Sequence, residues 1–248
     1  MPKLGELRYL RHRLYGRMLR PFAHRARARR MQEMSRRLCL ESGDRVLDLG
    51  GWAAIWEYVD CPLSVTILNL PGKVVRWEAS SVHSFEYIEG DACDVSTFED
   101  ASFDIAFSNS VIEHVGPEFQ QRQLASQVRR LGRAYWVQTP CKWYPIEAHS
   151  GMPFWWFYPA PLRQLLLRGW RRKLPKWTVA IENTRVLTRR QLRELFPGCR
   201  VYLERSLGLP KSFSAYSTHR SRGETSAGDR TAAPARHHPA PRRRAHRS

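Results

Sequence analysis

Short apolar runs, each ending in polar residues or glycine, recur through the first half of the chain. They predict four buried strands, at residues 45–51, 64–69, 85–88 and 103–107. We expect a helical stretch after each strand, including a helix that restarts directly after Asn109 and carries His114. The resulting βαβαβαβ series is the pattern of a doubly wound, mostly parallel α/β sheet.

The pattern continues on both sides of this series. A further strand is predicted at 133–139, a Thr-capped helix at 186–198, and an antiparallel pair at 200–205 and 212–216. A helix over 25–37 leads into the first strand. The sheet is therefore expected to end in an antiparallel hairpin.

The first predicted strand ends in a carboxylate and two glycines. A glycine pair, Gly50 and Gly51, lets the backbone adopt positive φ and lets a ligand approach the main chain. Asp48 is suited either to hold the amino group of a cationic ligand or to tie the loop to neighbouring amides. Because no third glycine follows, the segment is not a dinucleotide fingerprint.

The next strand ends carry polar groups where open α/β sheets bind ligands. Asn69 ends the second strand, where a residue reaches ribose hydroxyls, and it can donate and accept there without charge. Asp91 follows Gly90, either against an adenine amine or as part of an ordinary turn. Ser108 or Ser110 either contributes to the site or only caps the following helix.

Four segments in register resemble the successive motifs of the class I S-adenosylmethionine-dependent methyltransferases, of the methyltransferase type 11 kind. They lie at 47–51, 68–70, 90–92 and 103–115. The sequence departs from the family pattern at Trp52 and Ala54, where glycines are expected, and at Asn69, where an acid is expected. Trp56 fits a subgroup with fewer glycines, in which an aromatic residue follows the glycine pair.

The resemblance implies a Rossmann-like fold with a cleft for S-adenosyl-L-methionine. It places residues around each part of the cofactor: Asp48 and Gly50 at the methionine end, Asn69 at the ribose, Asp91 and Ala92 at the adenine, and Ser108 and Asn109 beside the sulfonium. Gly51 and Leu70 are further cofactor-binding candidates.

An aromatic insert at about 140–177 follows the predicted strand at 133–139 and is placed to cover an acceptor site. Its candidate acceptor-binding residues are Trp143, Tyr144, Glu147 and Trp155. The alternative is that most of its rings only pack the insert onto the sheet.

Two histidines compete as general base for an acceptor, His149 in the insert and His114 after the fourth strand. A sulfonium methyl is already activated, so the protein mainly has to align the acceptor and exclude water. No metal site is therefore expected.

The net charge of +18 is concentrated at the two ends of the 248 residues. Residues 1–39 carry +10 and residues 217–248 carry +6, which leaves only +2 between them. We predict a basic helical extension (1–39), a methyltransferase domain (40–216) and a disordered basic tail (217–248). The apolar stripe of the extension, formed by Leu7, Leu10, Leu14 and Met18, either docks on the domain or lies on an anionic membrane surface.

The cysteine content and the length of the apolar runs indicate where the protein is located. Five scattered cysteines favour reduced thiols in a cytoplasmic protein, and no apolar run is long enough to span a bilayer. We expect methyl transfer to a small-molecule or lipid-like acceptor, with no nucleic-acid partner. The alternatives are an RNA methyltransferase, and a methyltransferase-like binding module that has lost catalysis. The oligomeric state is left open.

Overall fold

The computed structural model describes residues 24–76, 82–147 and 149–218. Seven strands lie in this part of the chain: β1 (Arg45–Leu49), β2 (Ser64–Asn69), β3 (Ser84–Glu89), β4 (Phe103–Asn109), β5 (Gly132–Pro140), β6 (Arg200–Ser206) and β7 (Leu209–Ser217).

The strands form one sheet in the order β3-β2-β1-β4-β5-β7-β6. Neighbours from β3 to β5 pair in parallel, whereas β7 is antiparallel to both β5 and β6. The strand order reverses between β1 and β4, and a crevice forms at such a switch point. The predicted Rossmann-like sheet with an antiparallel terminal hairpin is confirmed.

The described helices are α1 (24–38), α2 (Glu118–Leu131), α3 (Ala160–Lys173), α4 (Pro175–Asn183) and α5 (Arg189–Leu195). Short 3₁₀ helices occupy Ala53–Tyr58 and Trp155–Phe157. The helices predicted over 25–37 and 186–198 are present as α1 and α5. As predicted, Thr188 caps α5: its side chain accepts from the Gln191 amide, and Gln191 accepts from the Thr188 amide.

The expectation of a helical stretch after each of the first four strands is wrong for β3, and after β4 the helix does not begin directly. The described residues of the β2–β3 and β3–β4 connections contain no helix, and residues 111–116 after β4 form turns. Ser110 has a φ of +57°, which interrupts helical geometry at once. Helix α2 begins only after Pro117, because proline fits a helix start and disfavours α geometry in the residue before it. His114 therefore lies on a loop.

Helices cover both faces of the sheet. On one face Met31, Met34 and Leu38 of α1 pack with Trp56 and Trp136. On the other face α2 and α5 pack their apolar sides against the strands. The described part of the basic extension is thus built into the core. The stripe from Leu7 to Met18 and the tail beyond residue 218 lie outside the described residues, and their roles stay predictions.

Gly132, the first residue of β5, tests how tightly β4 and β5 pack. A Cβ atom there would lie 2.5 Å from the Ala106 amide nitrogen and from the Ala134 carbonyl oxygen. We expect Gly132→Ala to lower the free energy of unfolding by about 1–3 kcal/mol, as overpacking does. Urea unfolding measures the change.

Gly169 in α3 is the matched control, because nothing lies within 4 Å of a Cβ built there. Gly169→Ala should raise the free energy of unfolding by about 0.5–1 kcal/mol through helix propensity. Equal effects of the two substitutions would contradict the packing described at β5.

Candidate functional site

A cavity of about 370 Å³ opens at the carboxyl ends of β1, β2, β3 and β4. Five of the nine predicted cofactor residues line it: Gly50, Asn69, Leu70, Asp91 and Ala92. The loop after β4 closes the other side with Ser110, Val111, His114 and Val115. The strand ends thus converge on one cavity, as the order of the sheet requires.

Gly50 brings bare backbone to the wall of this cavity. Its φ is +76°, and a Cβ atom would lie 2.8 Å from both Val111 methyl carbons. Its amide donates to the Leu68 carbonyl oxygen at 2.7 Å. Glycine is therefore required here both by conformation and by the approach of the β4 loop.

Asp48 lies beneath this loop and does not line the cavity. Its carboxylate is fully buried and accepts a hydrogen bond from the Trp56 indole at 2.9 Å. A Cβ on Gly51 would lie 1.8 Å from the Asp48 Oδ2, so the carboxylate fills the space under Gly51. Burial raises the pKa of Asp48 to about 7, against the effect of the indole N–H. Of the two roles considered for Asp48, this geometry fits the one in which it holds the loop. The donor is the Trp56 indole and not the backbone amides that were expected.

Asn69 and Asp91 both line the cavity and also hold its loops. The Asn69 amide donates to the Gly51 carbonyl oxygen at 2.8 Å, a bond that a carboxylate cannot make. Asp91 accepts from the Cys93 amide at 2.9 Å, which closes an ordinary Asx turn. The departure from an acid at position 69 thus has a structural reason.

Ser108 and Asn109 do not line the cavity. Both belong to β4, where Ser108 is buried and donates to the Leu49 carbonyl oxygen at 3.2 Å. Asn109 accepts from the Arg30 guanidinium at 2.7 Å. Ser110, one residue further on, is the residue that reaches the cavity.

Arg30 was not singled out from the sequence, although it links α1 to β6 and to the end of β4. This buried side chain on α1 pairs with Glu204 of β6 at 2.7 Å, and Glu204 also accepts from Ser212 at 2.6 Å. Burial alone would raise the pKa of Glu204, but the guanidinium outweighs it and lowers that pKa. No local pattern distinguishes Arg30 from the other arginines of α1, because its partners are distant in sequence.

The two candidate bases meet at the edge of the cavity. The Nε2 atoms of His114 and His149 are 2.8 Å apart. The Glu147 carboxylate accepts a hydrogen bond from His149 Nδ1 at 2.7 Å. The buried Glu113 carboxylate lies beside them, so that Glu113, His114 and His149 each offer an atom within 4.8 Å of the others. No metal cluster was expected from the sequence, yet these three side chains form a group of potential ligands.

The surroundings shift the pKa values of the two histidines in opposite directions. Burial and the neighbouring His149 lower the pKa of His114 to about 4. Burial opposes the charge on His149, but the hydrogen bond and charge of Glu147 outweigh it and raise the His149 pKa. Burial raises the pKa of Glu113 to about 7.

The aromatic insert forms a second, larger groove of about 630 Å³. Trp155 is buried, stacks on Trp170 at 5.3 Å and contributes to the groove wall. Thr184 also lines the groove, and its hydroxyl oxygen lies 3.4 Å from His114 Nδ1. The groove wall and the cavity wall are therefore in contact through Thr184 and His114.

The other predicted acceptor residues lie elsewhere in the insert. Trp143 is largely exposed and packs on Phe157, with ring centroids 4.7 Å apart. The Tyr144 hydroxyl lies 3.4 Å from the Ser206 hydroxyl. Neither residue lines the cavity or the groove, and Glu147, which also lines neither, is hydrogen-bonded to His149.

Residues 47–134 match a family model described as "Methyltransferase domain". This segment runs from β1 into β5 and includes every strand end that forms the cavity. The match confirms the resemblance to class I S-adenosylmethionine-dependent methyltransferases that the sequence indicated. No curated protein sequence matches the chain.

Several solved structures are similar to the chain at low sequence identity. Phosphoethanolamine N-methyltransferase 2 of Haemonchus contortus, in complex with S-adenosyl-L-methionine, is 17% identical with a TM-score of 0.43, over 66% of this chain and 35% of that chain. A SAM-dependent methyltransferase of Methanosarcina mazei is 15% identical with a TM-score of 0.42, over 71% and 92%. A Pyrococcus horikoshii OT3 protein is 19% identical with a TM-score of 0.44, over 83% and 89%. This chain spans about a third of the Haemonchus enzyme.

Among the helices that the structure describes, none has both the length and the apolar character needed to cross a membrane.

The buried Asp48 gives a test of the loop geometry through pH. Its pKa is raised from 3.8 to about 7 in the folded chain, so the folded state holds a proton that the unfolded state releases between these values. Wild-type stability therefore falls as pH rises through this window. Asp48→Asn has no titrating group at this position, so its free energy of unfolding should not show this loss. Relative to wild type, the free energy of unfolding of the variant should rise by up to a few kcal/mol from pH 4 to pH 8. Urea unfolding at both pH values measures it, and a pH-independent difference would contradict the burial of Asp48.

Proposed function

We propose that the protein transfers a methyl group from S-adenosyl-L-methionine to a small-molecule or lipid-like acceptor. The cavity at the sheet's switch point is the observation that carries the proposal. Its volume of about 370 Å³ is within the range of small-ligand sites. The match of residues 47–134 to a methyltransferase domain supports the same activity.

The cavity wall has groups suited to the parts of this cofactor. Gly50 and Gly90 present backbone, Leu70 and Ala92 give apolar surface for a flat base, and Asp91 supplies a carboxylate for an amine. Asp48 would act indirectly, by holding the loop. The bound sulfonium supplies an activated methyl group, so the chain's own task is alignment and exclusion of water.

The groove beside the cavity is suited to an acceptor with an apolar body and an anionic group. Trp155, Trp156 and Leu167 give it apolar surface. Arg163 and Arg185 also line it, and within the described part of the chain neither guanidinium has a hydrogen-bonding or ionic partner. Both features support a lipid-like or similarly amphiphilic acceptor.

His114 and His149 act as one unit in this proposal. His114 lines the cavity and contacts Thr184 of the groove wall, so an acceptor that extends from the groove to the bound methyl group would lie beside the pair. Glu147 orients His149 and thereby the contact between the two rings. The pair is therefore placed to position an acceptor and to take part in removing its proton.

Cofactor binding is tested at Leu70, a half-exposed side chain of the cavity wall. Isothermal titration calorimetry should show S-adenosyl-L-methionine binding to the wild type. Leu70→Arg should weaken it at least tenfold, because a cation is placed against a cationic ligand. Leu165→Arg is the control, since Leu165 is exposed on α3 and lines neither the cavity nor the groove. A folded wild type that does not bind the cofactor would instead favour an inactive binding module.

The histidine unit is tested by turnover. Radiolabelled S-adenosyl-L-methionine is incubated with a lipid and metabolite extract, and label transfer is followed with each variant. His149→Ala should slow transfer by about 10²–10⁴-fold, the contribution typical of such groups, without changing cofactor affinity. His24→Ala, an exposed histidine of α1, is the control. Full activity of His149→Ala would remove the pair from the reaction.

A further inference from the structure

We propose that Glu113, His114 and His149 bind one divalent transition-metal ion at the boundary between the cavity and the aromatic insert. The proposal goes beyond methyl transfer, and the existence of the metal site does not depend on that activity. It rests on three independent features of the cluster: the facing ring nitrogens, the Glu113 carboxylate oxygen that lacks a donor, and the groups that hold the ligands.

The distances within the cluster are close to those of a metal site. The two Nε2 atoms are 2.8 Å apart, and a carboxylate oxygen of Glu113 lies within 4.8 Å of both. Zinc–nitrogen bonds are about 2.0–2.1 Å long, so two imidazole ligands of one tetrahedral ion have nitrogens about 3.3 Å apart. A small rotation of either ring is enough to admit the ion.

The hydrogen bonds of the two rings leave lone pairs facing each other. Glu147 accepts at His149 Nδ1, which places the proton of the neutral ring there and leaves Nε2 bare. Thr184 donates its hydroxyl to the Ala180 carbonyl, so its oxygen is an acceptor for His114 Nδ1 at 3.4 Å. His114 Nε2 is then bare as well. Two facing lone pairs at 2.8 Å are stabilised by a proton or by a metal ion between them, and the metal ion also satisfies the neighbouring carboxylate.

The Glu113 carboxylate adds a second demand for positive charge. This side chain is fully buried and its Oε2 accepts from the Thr139 hydroxyl at 3.1 Å. Its Oε1 has no hydrogen-bond partner in the described structure. A buried carboxylate oxygen without a donor is costly, and a metal ion would satisfy it.

The outer groups have the arrangement that supports metal ligands. Glu147 holds His149 through Nδ1, and Thr139 holds Glu113, as partners of metal-bound histidine and carboxylate do. The Trp177 indole donates to the His149 carbonyl at 3.1 Å, which fixes the insert loop. An ion here would therefore join the β4 loop to the insert.

The donor set also indicates the class of ion. Two imidazoles and one carboxylate suit zinc, cobalt, manganese or iron rather than calcium or magnesium. Three protein ligands leave coordination positions open, and His114 lines the cofactor cavity. An acceptor hydroxyl or amine entering there would reach the open positions.

Cobalt is the probe for this site, because its visible absorption reports its ligands. The full chain is treated with chelator, dialysed and titrated with Co²⁺ alone. We expect one equivalent to give visible absorption bands, with Zn²⁺ displacing it. His149→Ala and Glu113→Gln should each weaken Co²⁺ binding at least tenfold. Co²⁺ should also raise the melting temperature of the wild type but not of His149→Ala.

The controls exclude adventitious histidines. His24→Ala should bind as wild type does, and so should a variant lacking His237 and His238, which are adjacent in the sequence. Circular dichroism establishes that each variant is folded. Absence of the absorption bands, or unchanged binding in folded His149→Ala, would overturn the metal site and assign a shared proton to the pair. Calorimetry of the chelator-treated chain with S-adenosyl-L-methionine tests the proposed function separately.

Discussion

The buried carboxylate of Asp48 is the constraint on which the cavity depends. It fills the space beneath Gly51 and accepts from the Trp56 indole, so β1, the following loop and the first 3₁₀ helix are held as one unit. Asn69 then fastens the same loop to β2 through the Gly51 carbonyl. With the loop fixed, Gly50 approaches Val111 closely enough that the ends of β1 and β4 form a shared wall. A buried carboxyl group thus fixes the geometry of the loop and does not line the cavity.

The parts that the sequence predicted are those governed by local pattern. Apolar runs gave the positions of β1 to β5 because a strand covered on both faces needs nearly continuous apolar residues. The polar residues and glycines at the strand ends also predicted that Gly50, Asn69 and Asp91 lie at one edge of the sheet. The helix after Asn109 was predicted wrongly, because the left-handed Ser110 and the later Pro117 delay it to Glu118.

Contacts between distant segments could not be read in this way. His114 and His149 are 35 residues apart, and Arg30 pairs with Glu204 across 174 residues. From the sequence, the two histidines were alternative candidates for one general base. In the structure their rings are in direct contact, and Glu113 and Glu147 lie beside them. Thr184 of the groove wall also contacts His114, so the insert and the loop after β4 are joined beside the cavity.

Hydrogen exchange followed by mass spectrometry, with and without S-adenosyl-L-methionine, tests the central claim most directly, namely that the strand ends form one cofactor site. The account predicts slower exchange on cofactor addition in residues 49–51, 68–70, 90–92 and 110–115 together, since these segments line or support the same cavity. Unchanged exchange in these segments at saturating cofactor, or protection confined to another part of the chain, would contradict it.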